Sequence, residues 1–328
     1  MWVCYKIYLE AKAPIHIGYG AKLGVVDKTR YYIPAKNVWG ALTNLIAKNV
    51  MINYSPKLYQ EIGKEFDNNI KFSYLYPIEY KKYKRNNIVE IEVKQIFAPL
   101  YTEEGLKFGV CKGGKKISLE EFEKVFISSF ISTAIDKGSK SAEEGSLHEI
   151  EFLRDKVKLG QNEELKPTVF LGYLFVKSSP LKIFDKKVEI SFEKKCIKIN
   201  ETKLSEIWIG GERNYGFGRV KIIKIHEENF KDGIIDLFNS EVKIDITKEQ
   251  LIVFSKDKQI IAISHVDIKN LDAKLIKGDI EPLVGREWGE KGSGQKISQT
   301  AQICITPGSW FICDKEIIIG NFGIWQAT

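Results

Sequence analysis

The sequence holds only five cysteines (Cys4, Cys111, Cys196, Cys304 and Cys313), and they are scattered, with no C-x-x-C pair. That spacing carries no zinc-ligand signature, and the odd count argues against the disulfide framework of a secreted protein. No apolar run approaches the roughly 18 residues that a membrane-spanning helix needs. Residues 1–20 carry no signal-peptide pattern, so a cytoplasmic protein without a membrane partner is expected. Short-period repeats and low-complexity segments are missing too, which excludes solenoids and linkers. Over 328 residues, 44% hydrophobic side chains support a sizeable core and 28% charged ones suit a water-facing surface. The net charge of +7 favours a polyanionic partner without singling one out.

Short strand-like runs dominate the chain. Residues 2–10 alternate Val3, Tyr5, Ile7 and Leu9 on one face, the period of a half-buried strand. Further strands are expected at 88–97, 168–176, 188–199, 219–226, 251–254, 259–268, 300–306 and 310–319. One helix is expected from Asn37 to Met51, just past Pro34, with Val38, Leu42, Leu45, Ile46 and Val50 in one apolar stripe. A second starts at Ser118, where Ser118 and Glu121 form a capping box, and continues through Phe122, Val125, Phe126, Ser129, Phe130 and Thr133. Strand, helix, strands, helix and strand in this order make the split β-α-β pattern of a ferredoxin-like domain. The expected architecture is α+β, with two such units built on antiparallel sheets. The first covers residues 1–221 with an insertion around 53–117; the second, 222–328, is degenerate and β-rich.

Three glycine-rich basic segments carry the chemistry. The first runs from Pro14 to Gly24 and on through Lys36. Gly18, Gly20 and Gly24 let backbone approach a partner and turn its N–H groups outward. Lys22, Lys28, Arg30 and Lys36 add positive charge, and the helix after Pro34 offers its N-terminal end to phosphate. The second is Gly210-Gly211-Glu212-Arg213-Asn214-Tyr215-Gly216-Phe217-Gly218-Arg219, a tight basic loop that suits a phosphodiester backbone. The third holds Gly285 and Arg286, then WGEKGSGQK (288–296), and ends in PGSWF (307–311). Neither nucleotide fingerprint fits. The first segment spaces its glycines one residue too far for a dinucleotide site, and Ile297 stands where a phosphate-binding loop needs Ser or Thr. No cofactor is expected. Lys137 and Lys140 add charge in a loop after the second helix. Lys81 to Arg85 interleave with tyrosines as further candidate contacts, while Tyr74 and Tyr76 read as strand core.

Four stretches, in order, resemble the RAMP superfamily of CRISPR-associated proteins: PIHIG with YIPAKNVWGAL (14–42), STAIDKGSKSAEEGSLHEIEFL (132–153), GGERNYGFGRV (210–220) and PGSWF. The resemblance implies ferredoxin-like (RRM-like) domains that bind CRISPR RNA. It is closest to the subunit that caps type III effector complexes, with type III-D versions nearest. That subunit grips the 5′ handle of the guide and contacts other RAMP subunits and the polymerase-like large subunit; most members of the subgroup are not catalytic. Target RNA is a further partner the resemblance allows. Two residues carry enzymatic alternatives. Asp27 lies where backbone RAMP subunits place the aspartate that cleaves target RNA, and His16 lies where guide-processing RAMP nucleases place a general acid or base. Ion pairing with Lys28 or Arg30 is an equally natural role for Asp27, and packing in the loop is the better-supported role for His16.

Overall fold

A computed structural model describes residues 2–19, 25–50, 56–85, 88–110, 114–159, 164–184, 188–228, 232–240, 242–255, 259–289, 292–297 and 301–328. At its centre, Val3–Ala11 pairs antiparallel with Val169–Val176 on one side and Arg219–Glu228 on the other. Val169–Val176 (VFLGYLFV) is buried at every position, the run expected of a strand covered on both faces. Ile70–Phe72 and Tyr76–Arg85 pair with its far edge, Ile88–Ile96 continues outward, and Glu206–Trp208 closes the opposite edge beyond Arg219–Glu228. Taking Val3–Ala11, Tyr76–Arg85, Val169–Val176 and Arg219–Glu228 as first to fourth strands, the fourth, first, third and second lie side by side, the order of a ferredoxin-like sheet.

Helices α1 (Ala35–Val50) and α2 (Pro56–Asn69) fill the first crossover. In α1, Val38, Leu42 and Ile46 are buried as the stripe requires. Residues 56–96, read from composition partly as an insertion, thus supply α2 and three strands of the main sheet.

The second expected helix is shorter and placed elsewhere. Helix α3 (Leu119–Phe126) has its capping box, with Glu121 N donating to Ser118 Oγ at 3.1 Å and Ser118 N donating to Glu121 Oε2 at 2.9 Å. It stops at Phe126, because Ile127 turns extended and Ile127–Ser132 pairs as a strand with His148–Leu153. Ser129, Phe130 and Thr133 thus sit on or just past a strand rather than on a helical stripe. The β-rich, alternating ISSFIS run overrides the helical period. Moreover, α3 lies between the second and third strands of the ferredoxin-like order. The second crossover, where that fold usually has a helix, holds a four-stranded meander from Leu181 to Leu204.

Residues from Ile234 onward form an eight-stranded, a three-stranded and a two-stranded sheet, and their only helices among the described residues are three-residue 3-10 turns. The lobe is fastened to the first sheet at several points. Tyr76 Oη donates to Ile263 O at 2.8 Å, Trp2 Nε1 to Glu249 O at 3.0 Å, and Phe238 N to Tyr173 Oη at 3.2 Å. PGSWF fastens the lobe to a separate small sheet through its strand Pro99–Thr102: Gly308 O accepts from Tyr101 N at 2.9 Å, and Trp310 Nε1 donates to Tyr101 O at 3.1 Å. One continuous hydrophobic cluster runs through both parts.

Candidate nucleic-acid interface

The loop Gly210–Gly218 is stitched to the PIHIG segment by backbone bonds. Gly211 N donates to His16 O at 3.0 Å and Gly218 N to Pro14 O at 2.7 Å. Two glycines are obligatory. Gly210 (φ +91°) would place a Cβ 2.3 Å from His16 O, and Gly218 (φ +86°) would place one 2.4 Å from Ile209 O. The amides of Gly211, Gly216 and Gly218 are all spent inside the protein, the second on Arg213 O. The glycines therefore serve close packing between two chain segments. What the loop offers outward is the short turn Arg213–Tyr215, whose three side chains are exposed.

A third segment joins them. The hairpin of Ile127–Ser132 and His148–Leu153 runs beside the loop, and Val26–Asp27 adds to it in parallel, pairing with Glu149 and Ile150. Tyr215 lies against Phe130 (ring centroids 5.7 Å apart), and Phe217 against Phe152 (5.2 Å). Thr29 N donates to Glu151 Oε2 at 3.3 Å, and Thr29 Oγ1 accepts from Ile17 N at 3.0 Å. Three motifs from residues 14–30, 127–153 and 210–218 thus meet at one end of the sheet.

The expected cations divide by what they touch. Arg213 is exposed and bonds its own loop, with Nη2 donating to Trp208 O at 3.1 Å. Arg219 forms a two-pronged pair with Glu206 at 2.9 and 3.2 Å while half its side chain stays open. Lys28 is exposed beside the Gly18–Thr29 bridge, and Lys137 and Lys140 are exposed in the hairpin's connecting loop. There Asp136 accepts from Gly138 N and Ser139 N, which fixes the turn. Lys36, in the first turn of α1, lies with its ammonium 5.6 Å over the Phe322 ring.

Arg30 departs from the expected role. Its side chain is only 10% exposed, and Nη1 bonds Glu281 at 2.8 Å and Tyr32 Oη at 3.1 Å. Burial disfavours its charge, but Tyr32 and Glu281 outweigh that and raise its pKa. It is a buried strut whose guanidinium is engaged by Glu281 and Tyr32. Gly20, Gly24 and Lys22 lie outside the described residues, as does the side chain of Arg286, although its backbone pairs in the strand Arg286–Gly289.

His16 is 6% exposed, with Nδ1 2.7 Å from Glu151 O and the ring against Gly211. Nδ1 is the donor in that contact, since a carbonyl oxygen only accepts. Asp27 lies in the short strand beside Ile150, and Arg30, one of its two expected ion partners, is committed to Glu281. Among the described residues, no three His, Cys, Asp or Glu side chains gather so as to hold a metal ion. No helix among them is long and apolar enough to cross a membrane. Tyr74 and Tyr76 are buried as read, while Lys81, Lys82 and Tyr83 are exposed.

The sequence reading missed two exposed aromatics at this end of the sheet. Phe130 is 43% exposed, because it lies on a strand rather than a helix stripe. Trp208 is 45% exposed at the end of the strand leading into the glycine loop. An indole two residues before a Gly-Gly pair was the available signal.

No curated protein matches the chain. Among solved structures it is similar to a chain of a type III-B Cmr-beta complex bound to cognate target RNA, at 12% identity, covering 94% of this chain and 86% of that one, TM-score 0.47. It is also similar to a CRISPR protein from Archaeoglobus fulgidus (12% identity, 98% and 97% covered, TM-score 0.35). A third is a chain of the Csm3-Csm4 subcomplex of a type III-A CRISPR-Cas interference complex (13%, 97% and 94%, TM-score 0.39). The family model for the RAMP superfamily matches residues 8–221, well over half of the chain, and takes in all three converging segments. By that match the chain belongs to the RAMP superfamily.

Proposed function

We propose that this protein is a non-catalytic RNA-binding subunit of a type III CRISPR effector ribonucleoprotein and holds the guide RNA by its 5′ handle. One observation carries the reading: three segments far apart in sequence meet at one end of the sheet and leave Arg213, Asn214, Tyr215 and Lys28 exposed there. Cations with an aromatic ring among them suit a single strand, pairing its phosphates and stacking its bases. Lys137 and Lys140 extend the same surface along the hairpin, with Gly18 at its rim. The glycines Gly210, Gly211, Gly216 and Gly218 contribute by shaping the loop. Lys36 and Arg286 are further candidate RNA contacts, and other RAMP subunits and the polymerase-like large subunit are the protein partners of this reading.

The test is purification of the native complex, followed by crosslinking and sequencing of the RNA bound to this chain. A repeat-derived handle crosslinked near Arg213 is the expected result, and its absence overturns the handle assignment. Replacing Arg213 and Arg219 together by Ala lowers RNA affinity without unfolding the protein. If affinity survives the double change, the loop is not the RNA site. An assembled complex carrying Asp27→Ala cleaves RNA as the parent does; lost cleavage would place Asp27 in a catalytic role.

A further inference from the structure

Trp208 stands out for where it is rather than for being apolar. Among the tryptophans whose side chains are described, Trp2 and Trp325 are buried and Trp39 and Trp310 are half-buried; Trp208 alone is exposed. It sits on Glu206–Trp208, the outermost strand on its side of the seven-stranded sheet, which pairs with no further strand there. Its neighbours Ile207 and Ile209 are buried, which turns Glu206 and Trp208 to the opposite, outer face.

That face is charged. Trp208 pairs directly with Arg219, and Glu206 with Lys221; Arg219 and Lys221 are both exposed. Glu206 holds the Arg219 guanidinium through two bonds, so the cation beside the indole is fixed rather than swinging free. Arg213 donates to the carbonyl of Trp208 itself, which ties the indole's backbone to the glycine loop. The indole makes no ring or cation contact with another described residue. Large contiguous apolar patches are what mark protein-docking sites. Trp208 instead stands alone among three cations and one carboxylate, and that surrounding is complementary to a base with its flanking phosphates.

We propose that Trp208 is a base-stacking platform for single-stranded RNA, with Arg213, Arg219 and Lys221 placed for the adjoining phosphates. It carries the RNA path from the glycine loop onto the outer edge of the sheet. The proposal rests on the RNA-binding reading above and adds a residue outside the loop. With Tyr215 exposed at 46% within the loop, Trp208 is a second open aromatic at this surface.

The experiment measures binding of the full chain to a fluorescein-labelled oligo(A) RNA and to a matched abasic ribose-phosphate oligomer, by anisotropy at fixed salt. Trp208→Ala is expected to weaken oligo(A) binding about tenfold, the loss of one stacked base, and to leave abasic binding within about twofold of the parent. Trp208→Phe keeps most of the affinity for oligo(A). Equal affinity of parent and Trp208→Ala for oligo(A), with the parent binding well, overturns the platform and leaves the loop reading standing. An equal loss on both oligomers also overturns it, since the indole would then act on the loop's shape. A parent chain that binds neither oligomer overturns both readings.

Discussion

Arg30 and Glu281, 251 positions apart, face each other across the junction of the two lobes with Nη1 2.8 Å from Oε1. The same carboxylate bonds His265 Nε2, and His265 Nδ1 lies 2.5 Å from Tyr74 Oη. A neutral imidazole satisfies both contacts, donating through Nε2 and accepting the tyrosine proton at Nδ1. Burial works against ionisation of Glu281, yet the bonds from His265 and Arg30 hold it at about 2, below its usual 4.5. Burial also lowers His265 from 6.5.

Both shifts make the protein acid-sensitive in the same direction. A carboxylate held low contributes stability that is complete above pH 4.5 and is lost as the pH falls toward 2. A histidine held low lets the unfolded chain take up its proton first as the pH drops below 6.5. Urea unfolding followed from pH 7 downward should show stability falling throughout. Glu281→Gln should cost about 3 kcal/mol at pH 7, since it strips the counter-charge from a buried guanidinium. It should also flatten the lower part of the pH curve.

The glycine loop supports a graded test within a few residues. Gly210→Ala and Gly218→Ala each drive a Cβ into a backbone oxygen and should lower stability by at least about 2 kcal/mol. Gly216 also has positive φ (+81°), but a Cβ there meets nothing within 4 Å. Gly216→Ala should therefore cost only about 1 kcal/mol, the backbone strain alone. Thermal unfolding of the three variants separates packing from conformation.

Glu206 competes with phosphate for Arg219. Glu206→Gln should leave stability nearly unchanged, because an exposed pair contributes about 0.2–1 kcal/mol. RNA affinity at low salt should rise about threefold, and titration of a labelled RNA checks it.

Lys137 and Lys140 are exposed in the hairpin's connecting loop. If both meet phosphates, replacing them by Ala should make the plot of log affinity against log salt less steep by about 1.4, two released counterions for a single strand. An unchanged slope assigns that loop to another partner.

Much of this was legible in sequence where the signal is local. The stripe from Val38 to Ile46 behind Pro34, the capping box at Ser118 and the buried run at 169–176 each state their structure within a few residues. The end of α3 was harder, because Phe126 and Phe130 share a helical spacing although Phe130 belongs to a strand. The glycines pointed to a close approach, but whether to RNA or to residues 14–16 depends on contacts some 200 positions away. Nothing near Arg30 advertises Glu281, so a basic residue beside a glycine loop read as a phosphate contact. Trp208 was hidden because exposure of an edge strand is a property of the whole sheet.

The junction has a consequence for dissection of the molecule. The family match stops at residue 221, yet cutting the chain there would strip the Arg30 guanidinium of its carboxylate and the hydroxyls of Tyr74 and Tyr76 of their partners His265 and Ile263. It would also strip the Phe238 ring from Tyr173 and Tyr76, which it meets edge-on. The recognisable part of the sequence is thus shorter than the smallest part that can stand alone. A fragment of residues 1–221 is expected to aggregate on expression, whereas the full chain stays monodisperse by size-exclusion chromatography.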